Sequence, residues 1–206
     1  MRVTAFLLVC LASVIGSTES QSETDAFELI KTSLAKAVCV NFELLVTVES
    51  AVFEQTDSAA GLAVIAADGR FDITIGPDQY LYDGQHSYSY SELNNQVLVE
   101  THDSSDGVGS EISFITNLDH WYFTHVSIPN REYRLTGKNP SADDSDLPDS
   151  LTVYVSEATT RLDSMEFYDI NEDRNVIHFL NQDLADSCVE SFFVPSFPDS
   201  TDVVRF

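Results

Sequence analysis

Asp169, Asn171 and Asp173 stand two residues apart, the spacing at which oxygen ligands open a calcium-binding loop. The match then fails, because Arg174 occupies the place where the sharp turn needs glycine and Leu180 the place of the bidentate glutamate. An acidic hairpin tip is the expectation there. The five histidines are scattered. His120 and His125 are five apart and share no helix face, and His86, His102 and His178 have no cysteine or histidine close by in the chain. Gly-x-Ser-x-Gly, His-Glu-x-x-His and Gly-x-x-x-x-Gly-Lys are all absent from the sequence. Carboxylates are so numerous that choosing two as acid and base would be arbitrary. A non-catalytic protein without metal or cofactor is therefore expected.

The remaining reactive side chains are three cysteines. Cys10 lies within the apolar run Ala5 to Ile15, which follows Arg2 and precedes small and polar residues from Gly16 to Ser22, the order of a secretory signal peptide. The bulky Val9 before Cys10 argues against lipidation. Residues 1–20 are thus expected to be a leader and residues 21–206 a single exported domain. Cleavage would leave Cys39 and Cys188, an even pair that an oxidising compartment allows to cross-link; two buried thiols are the alternative. The expected link joins the end of the first helix to the last strand.

Charge narrows the partners. Asp and Glu number 34 against 10 Lys and Arg, for a formal charge of -24. Nucleic-acid binding depends on cations that displace counterions from phosphates, so that class is excluded. An acidic surface with only Lys31, Lys36 and Lys138 as lysines suits a saline habitat that screens self-repulsion. The chain is 43% hydrophobic and 11% aromatic, enough for a core, and a monomer is expected.

The elements that must position these residues are read from hydrophobic period. Phe27, Ile30, Leu34 and Ala37 recur at helical spacing and predict an amphipathic helix over 25–37. From Phe42 onward the period is two, with Phe42, Leu44, Val46 and Val48 on one face. Further strands are predicted over 61–67, 70–75, 79–82, 86–90, 96–101, 132–136, 151–156, 164–169, 176–181 and 190–194. Turn chemistry separates many of them, at Asp68-Gly69, Gly76-Pro77-Asp78, Asp83-Gly84, Asn94-Asn95 and Asn171 to Asn175. Such short connections imply an antiparallel meander. Residues 104–110 and 139–150 read as exposed acidic loops. Ile115, Leu118 and Tyr122 fit a short helix over 116–124, although Trp121, Tyr122 and Phe123 would also suit a strand.

In His86 to Ser91 two tyrosines, Tyr88 and Tyr90, alternate with serines, which predicts one greasy and one wet face. A long sheet with so little helix to cover it would curve around a hydrophobic concavity of the kind that holds ligands. The run Gly69-Arg70-Phe71-Asp72-Ile73, then Asp78-Gln79-Tyr80-Leu81-Tyr82-Asp83-Gly84-Gln85 and Tyr88-Ser89-Tyr90, resembles the central block of the periplasmic outer-membrane lipoprotein carriers, the LolA family. Phe42 after an amphipathic helix resembles that family's early Phe strand, and Phe193 to Val204 its closing Phe-Pro and Asp-Val tail. The likeness extends over about residues 25–204.

The resemblance implies a mainly β fold, an unclosed antiparallel β-barrel with a helical lid, whose interior carries the acyl chains of lipoproteins across the periplasm. It implies as partners acylated lipoproteins, an inner-membrane lipoprotein-releasing transporter and an outer-membrane acceptor. Alternation nominates Phe42, Leu44, Val46, Phe71, Ile73, Tyr88, Tyr90, Met165, Phe167, Ile177 and Phe179 as acyl-binding wall. There are departures: the family's gating arginine aligns with Ala67, leaving Arg70 as the nearest cation, its strand Trp is Tyr88, and its turn lysine is Gln85. The same fold also serves as a lipid-sensing domain in envelope-stress signalling, where a second domain is usual. A general exported hydrophobic-ligand-binding protein is a further alternative.

Overall fold

The computed structural model describes residues 19–101, 118, 122–128, 132–138, 150–156, 161–169 and 171–206, with side chains from residue 27 onward except those of 122–138. Residues 1–18 of the expected leader, the expected loops at 104–110 and 139–149, and Trp121 lie outside the described residues, whereas Glu19 and Ser20 open the first helix. Helix α1 (Glu19–Lys36) is followed by β1 (Cys39–Ser50), β2 (Gln55–Ala66), β3 (Phe71–Ile75), β4 (Asp78–Tyr82), β5 (His86–Ser91) and β6 (Gln96–Thr101). Then come β7 (Tyr122–Ile128), β8 (Glu132–Lys138), β9 (Ser150–Ser156), β10 (Arg161–Tyr168), β11 (Arg174–Ala185) and β12 (Asp202–Arg205).

All twelve strands form one sheet in the order β12-β6-β5-β4-β3-β2-β1-β11-β10-β9-β8-β7. Two meanders, β1 to β6 and β7 to β11, join where β1 pairs antiparallel with β11. The sheet does not close, since β7 and β12 are its two ends. The turns form where expected and for the expected reason. Gly69, Gly84 and Asn95 take positive φ at the Asp68-Gly69, Asp83-Gly84 and Asn94-Asn95 corners. Gly61 serves a different purpose: a Cβ there would lie 2.7 Å from the Thr74 carbonyl oxygen across the β2–β3 ladder.

Three elements depart from the sequence expectation. Residues 122–124 are strand, not helix, because Tyr122, Thr124, Val126 and Ile128 continue a period of two along a full ladder with β8. Residues Glu190–Phe193 form a 3-10 turn rather than a strand. Cys188 is tied to Cys39 in the middle of the sheet, so the chain leaves β11 across the sheet's face, where no ladder partner is available. The third is β12, four residues pairing parallel with β6 and too short to show a period.

The core changes sides along the sheet. Around the centre, α1 lays Phe27, Ile30 and Leu34 on one face, where they cluster with Val40, Phe42 and Leu44 of β1, Phe71 and Ile73 of β3, and Leu151, Val153 and Val155 of β9. Toward the β12 end, the opposite face is the buried one. Leu81, Val97 and Val99 are 1–2% exposed there.

Candidate functional site

Cross-strand partners share a face, so the ladders decide which candidate residues meet. Leu44 stands opposite Phe179 and Val46 opposite Ile177, while Met165 stands opposite Ile177 on the far side of β11. Phe42 and Phe179 touch ring to ring at 4.8 Å between centroids. Phe71 and Ile73 belong to the same α1-covered cluster, with Val46 and Phe167 packed at its margin. Nine of the eleven nominated wall residues are therefore brought together beneath α1.

Tyr88 and Tyr90 are not among them. Tyr88 pairs with Leu81 and Tyr90 with Gln79, whereas Phe71 and Ile73 pair with Tyr82 and Tyr80. Adjacent residues on β4 point to opposite faces, so the tyrosines turn away from the helix and the serines turn toward the helix side. The expected assignment of greasy and wet faces is reversed on this strand. The greasy face is real, but its partner is the chain's own C-terminal segment. Phe197 lies 6.0 Å from the Tyr88 ring and stacks on Tyr90 at 5.4 Å.

The helix-side interior is filled by the protein's own side chains: Leu151, Val153, Val155 and Met165 have no exposed surface, and Phe42 and Leu44 only 2%. Leu151, Val153 and Val155 complete a wall that the sequence signals equally well through alternation on β9. Gln182, placed directly opposite Phe42, is the residue with no such signal. It is 8% exposed, and its side-chain oxygen has no hydrogen-bond partner.

Arg70, the cation nearest the family's gating position, faces away from α1. Its guanidinium donates to Asp68 at 2.8 Å and to Glu190 at 2.6 Å, and lies 4.6 Å from the Phe193 ring. The hydrogen bond to Glu190 comes first among the causes that raise its pKa, and the same contact lowers that of Glu190. It thus fastens the 3-10 turn to the outer face. The disulfide does the same next to it: Cys39 and Cys188 are bonded with Cα atoms 5.1 Å apart, beside buried Val64, Ala66 and Phe193. The Asp169–Asp173 segment is a hairpin tip in which the Asp169 carboxylate accepts the backbone N–H groups of Asn171 and Asp173.

Several solved structures are similar to this one. An uncharacterized conserved protein from Thermus thermophilus aligns over 90% of this chain and 100% of its own, with a TM-score of 0.53 and 10% identity. A LolA superfamily protein from Nitrosomonas europaea aligns over 84% of this chain and 97% of its own, at TM-score 0.44 and 10% identity. A putative outer membrane lipoprotein-sorting protein domain from Vibrio parahaemolyticus covers the same shares at TM-score 0.45 and 10% identity. The likeness to the Thermus thermophilus protein is one of fold. Identities of this size concern the fold alone. No protein-family model and no curated protein matches the sequence. The α1-covered face, where the apolar side chains converge, is the candidate site, and the outer face holds the C-terminal segment.

Proposed function

We propose that the chain is an exported, LolA-like carrier that holds the acyl chains of lipoproteins, or of another acylated cargo, between its sheet and α1. The observation that carries this reading is the continuous apolar face on which Phe42, Leu44, Phe71, Ile73, Met165 and Phe179 converge beneath a single helix. A sixteen-carbon chain has about 0.8 kcal/mol per methylene to gain from burial, more than about 10 kcal/mol in all. Lifting Phe27, Ile30 and Leu34 off the sheet would cost about 1.5–3 kcal/mol each, roughly 5–9 together. Hydrocarbon can therefore replace the helix's own hydrocarbon without net loss, and α1 acts as the lid. Export to the periplasm is in keeping with a disulfide between Cys39 and Cys188. Loading from an inner-membrane transporter and delivery to an outer-membrane acceptor complete the proposal.

The test is binding of a fluorescent long-chain acyl probe, together with mass spectrometry of lipid extracted from protein purified from its native envelope. Probe should bind and be displaced by a triacylated peptide. Leu34→Ala, which weakens the lid's grip, should speed probe uptake. Absence of binding by both the parent protein and the Leu34→Ala variant would remove the carrier reading.

A further inference from the structure

The outer face of the sheet, away from α1, holds a recess of about 280 Å3 that the carrier reading does not use. The ladders build its base. Glu43 of β1 stands opposite Leu62 of β2, Val64 of β2 stands opposite Asp72 of β3, and Asp183 comes in from β11 on the other side of β1. Phe192, from the 3-10 turn that the disulfide and the Arg70–Glu190 pair hold down, supplies a wall. Leu62 is 59% and Phe192 41% exposed, so hydrocarbon and an aromatic ring face water inside a concave site.

Three carboxylates line this recess, and among its described lining residues there is no lysine, arginine or histidine. Asp72 is half-buried and accepts a hydrogen bond from the Gln79 amide at 2.7 Å, which offsets only in part the water it has lost. Arg70, two residues away on the same face of β3, is turned aside to Asp68 and Glu190, with its guanidinium 4.6 Å from the Phe193 ring. The chain thus already lays one guanidinium on the ring next to Phe192 and leaves the Phe192 ring and Asp72 without one. We infer that the recess seats an arginine side chain of a partner polypeptide, its guanidinium on the carboxylates of Glu43, Asp72 and Asp183 and its stem against Leu62, Val64 and Phe192. Size favours a single side chain, since sites for whole drug-sized ligands span roughly 300–1,000 Å3. Arginine suits it better than lysine, because a guanidinium is weakly hydrated, bonds carboxylates in pairs and stacks on aromatic rings. The site lies on the face opposite the acyl-binding wall and stands or falls apart from the carrier reading.

The experiment is a titration of isotope-labelled protein, followed by amide NMR shifts, with the peptide acetyl-Leu-Arg-Leu-amide and with its citrulline analogue, which keeps the shape and removes the charge. The arginine peptide should bind saturably with shifts centred on residues 43, 62, 72 and 192, and the citrulline peptide should bind at least about tenfold more weakly. Asp72→Asn, a substitution the fold tolerates if its buried charge is a cost, should weaken the arginine peptide about fivefold, and Phe192→Ala about threefold. Asp163→Asn removes an equal charge from an exposed position on β10 and should leave binding unchanged. Equal binding of the two peptides overturns the inference, as does the absence of saturable binding. An Asp163→Asn effect as large as that of Asp72→Asn also overturns it, since the attraction would then be that of the whole acidic surface. Shifts centred on α1 and β9 would place the peptide in the acyl site and overturn it as well.

Discussion

Two aspartates eleven residues apart in the β3–β5 meander, Asp72 and Asp83, behave oppositely, and hydrogen-bond count explains the difference. Burial pushes Asp83 up, but N–H groups of His86 and Gln85 and the Tyr88 hydroxyl, all donating to it, pull it below the ordinary carboxylate value. Asp72 is pushed up by burial, and the single amide of Gln79 at 2.7 Å offsets this only in part. A carboxyl with a lowered folded pKa adds stability that is present above its unfolded value near 4 and is lost as pH falls through the folded one. A carboxyl with a raised pKa does the reverse, costing stability at neutral pH and relieving that cost as pH falls through its folded value. Asp83→Asn should therefore destabilise the protein at pH 7 by about 1 kcal/mol and flatten the loss of stability below pH 4. Asp72→Asn should leave stability at pH 7 unchanged or raise it. Chemical denaturation of both variants from pH 7 to pH 3 checks the two signs, and a destabilised Asp72→Asn would contradict the argument.

At the scale of elements, the C-terminal segment does for β4 to β6 what α1 does for the centre of the sheet. Phe197 covers Tyr88 and Tyr90, β12 occupies the edge of β6, and the disulfide with the Arg70–Glu190 pair fixes where the segment begins. An uncovered β6 would leave a free edge with Val97 and Val99 beside it, a template for association. Phe197→Ala should raise amide exchange in β5, β6 and β12 while α1 and β1 stay protected, as hydrogen–deuterium exchange would reveal. Tyr88→Asp and Tyr90→Asp should act in the same place and leave acyl binding nearly intact. A loss of acyl binding in either, with the fold retained, would return those tyrosines to the wall. The disulfide spans 149 residues of chain, and closing so long a loop is worth roughly 5 kcal/mol in the chain-entropy picture. Reduction should lower the melting temperature markedly, and intact-mass measurement with and without reductant reports the bond itself.

For the whole molecule the governing quantity is charge. A formal -24 on 206 residues, with Arg174 paired to Glu49 and Glu166 and Arg70 to Asp68 and Glu190, leaves many carboxylates repelling one another across the surface. Added salt screens that repulsion more than it weakens the exposed pairs. Melting temperature should rise from low to molar sodium chloride, and a flat or falling curve would remove the electrostatic argument.

Helix α1 and most strands were legible in the sequence because their signals are local: Phe27, Ile30 and Leu34 recur at helical spacing, and β1 alternates along its first half. The turns at Gly69, Gly84 and Asn95 were equally legible, since a positive φ needs a residue that tolerates it. Alternation also fixed that Tyr88 and Tyr90 share a face. It did not fix which face, because a period of two is unchanged when the whole strand is turned over; only the pairing of Tyr88 with Leu81 decided that. The same holds for Gln182, a polar residue in a strand until the ladder sets it against Phe42. The tail from Phe193 onward carries no period at all, and its place over the outer face follows from the bond at Cys188 and the stacking of Phe197. The sequence by itself determined α1 and most of the strands, for a hydrophobic period is a property of neighbours in the chain; it did not determine residues 122–124, the turn at Glu190–Phe193 or β12. The tertiary structure decided which face is inside, because that depends on partners more than a hundred residues away.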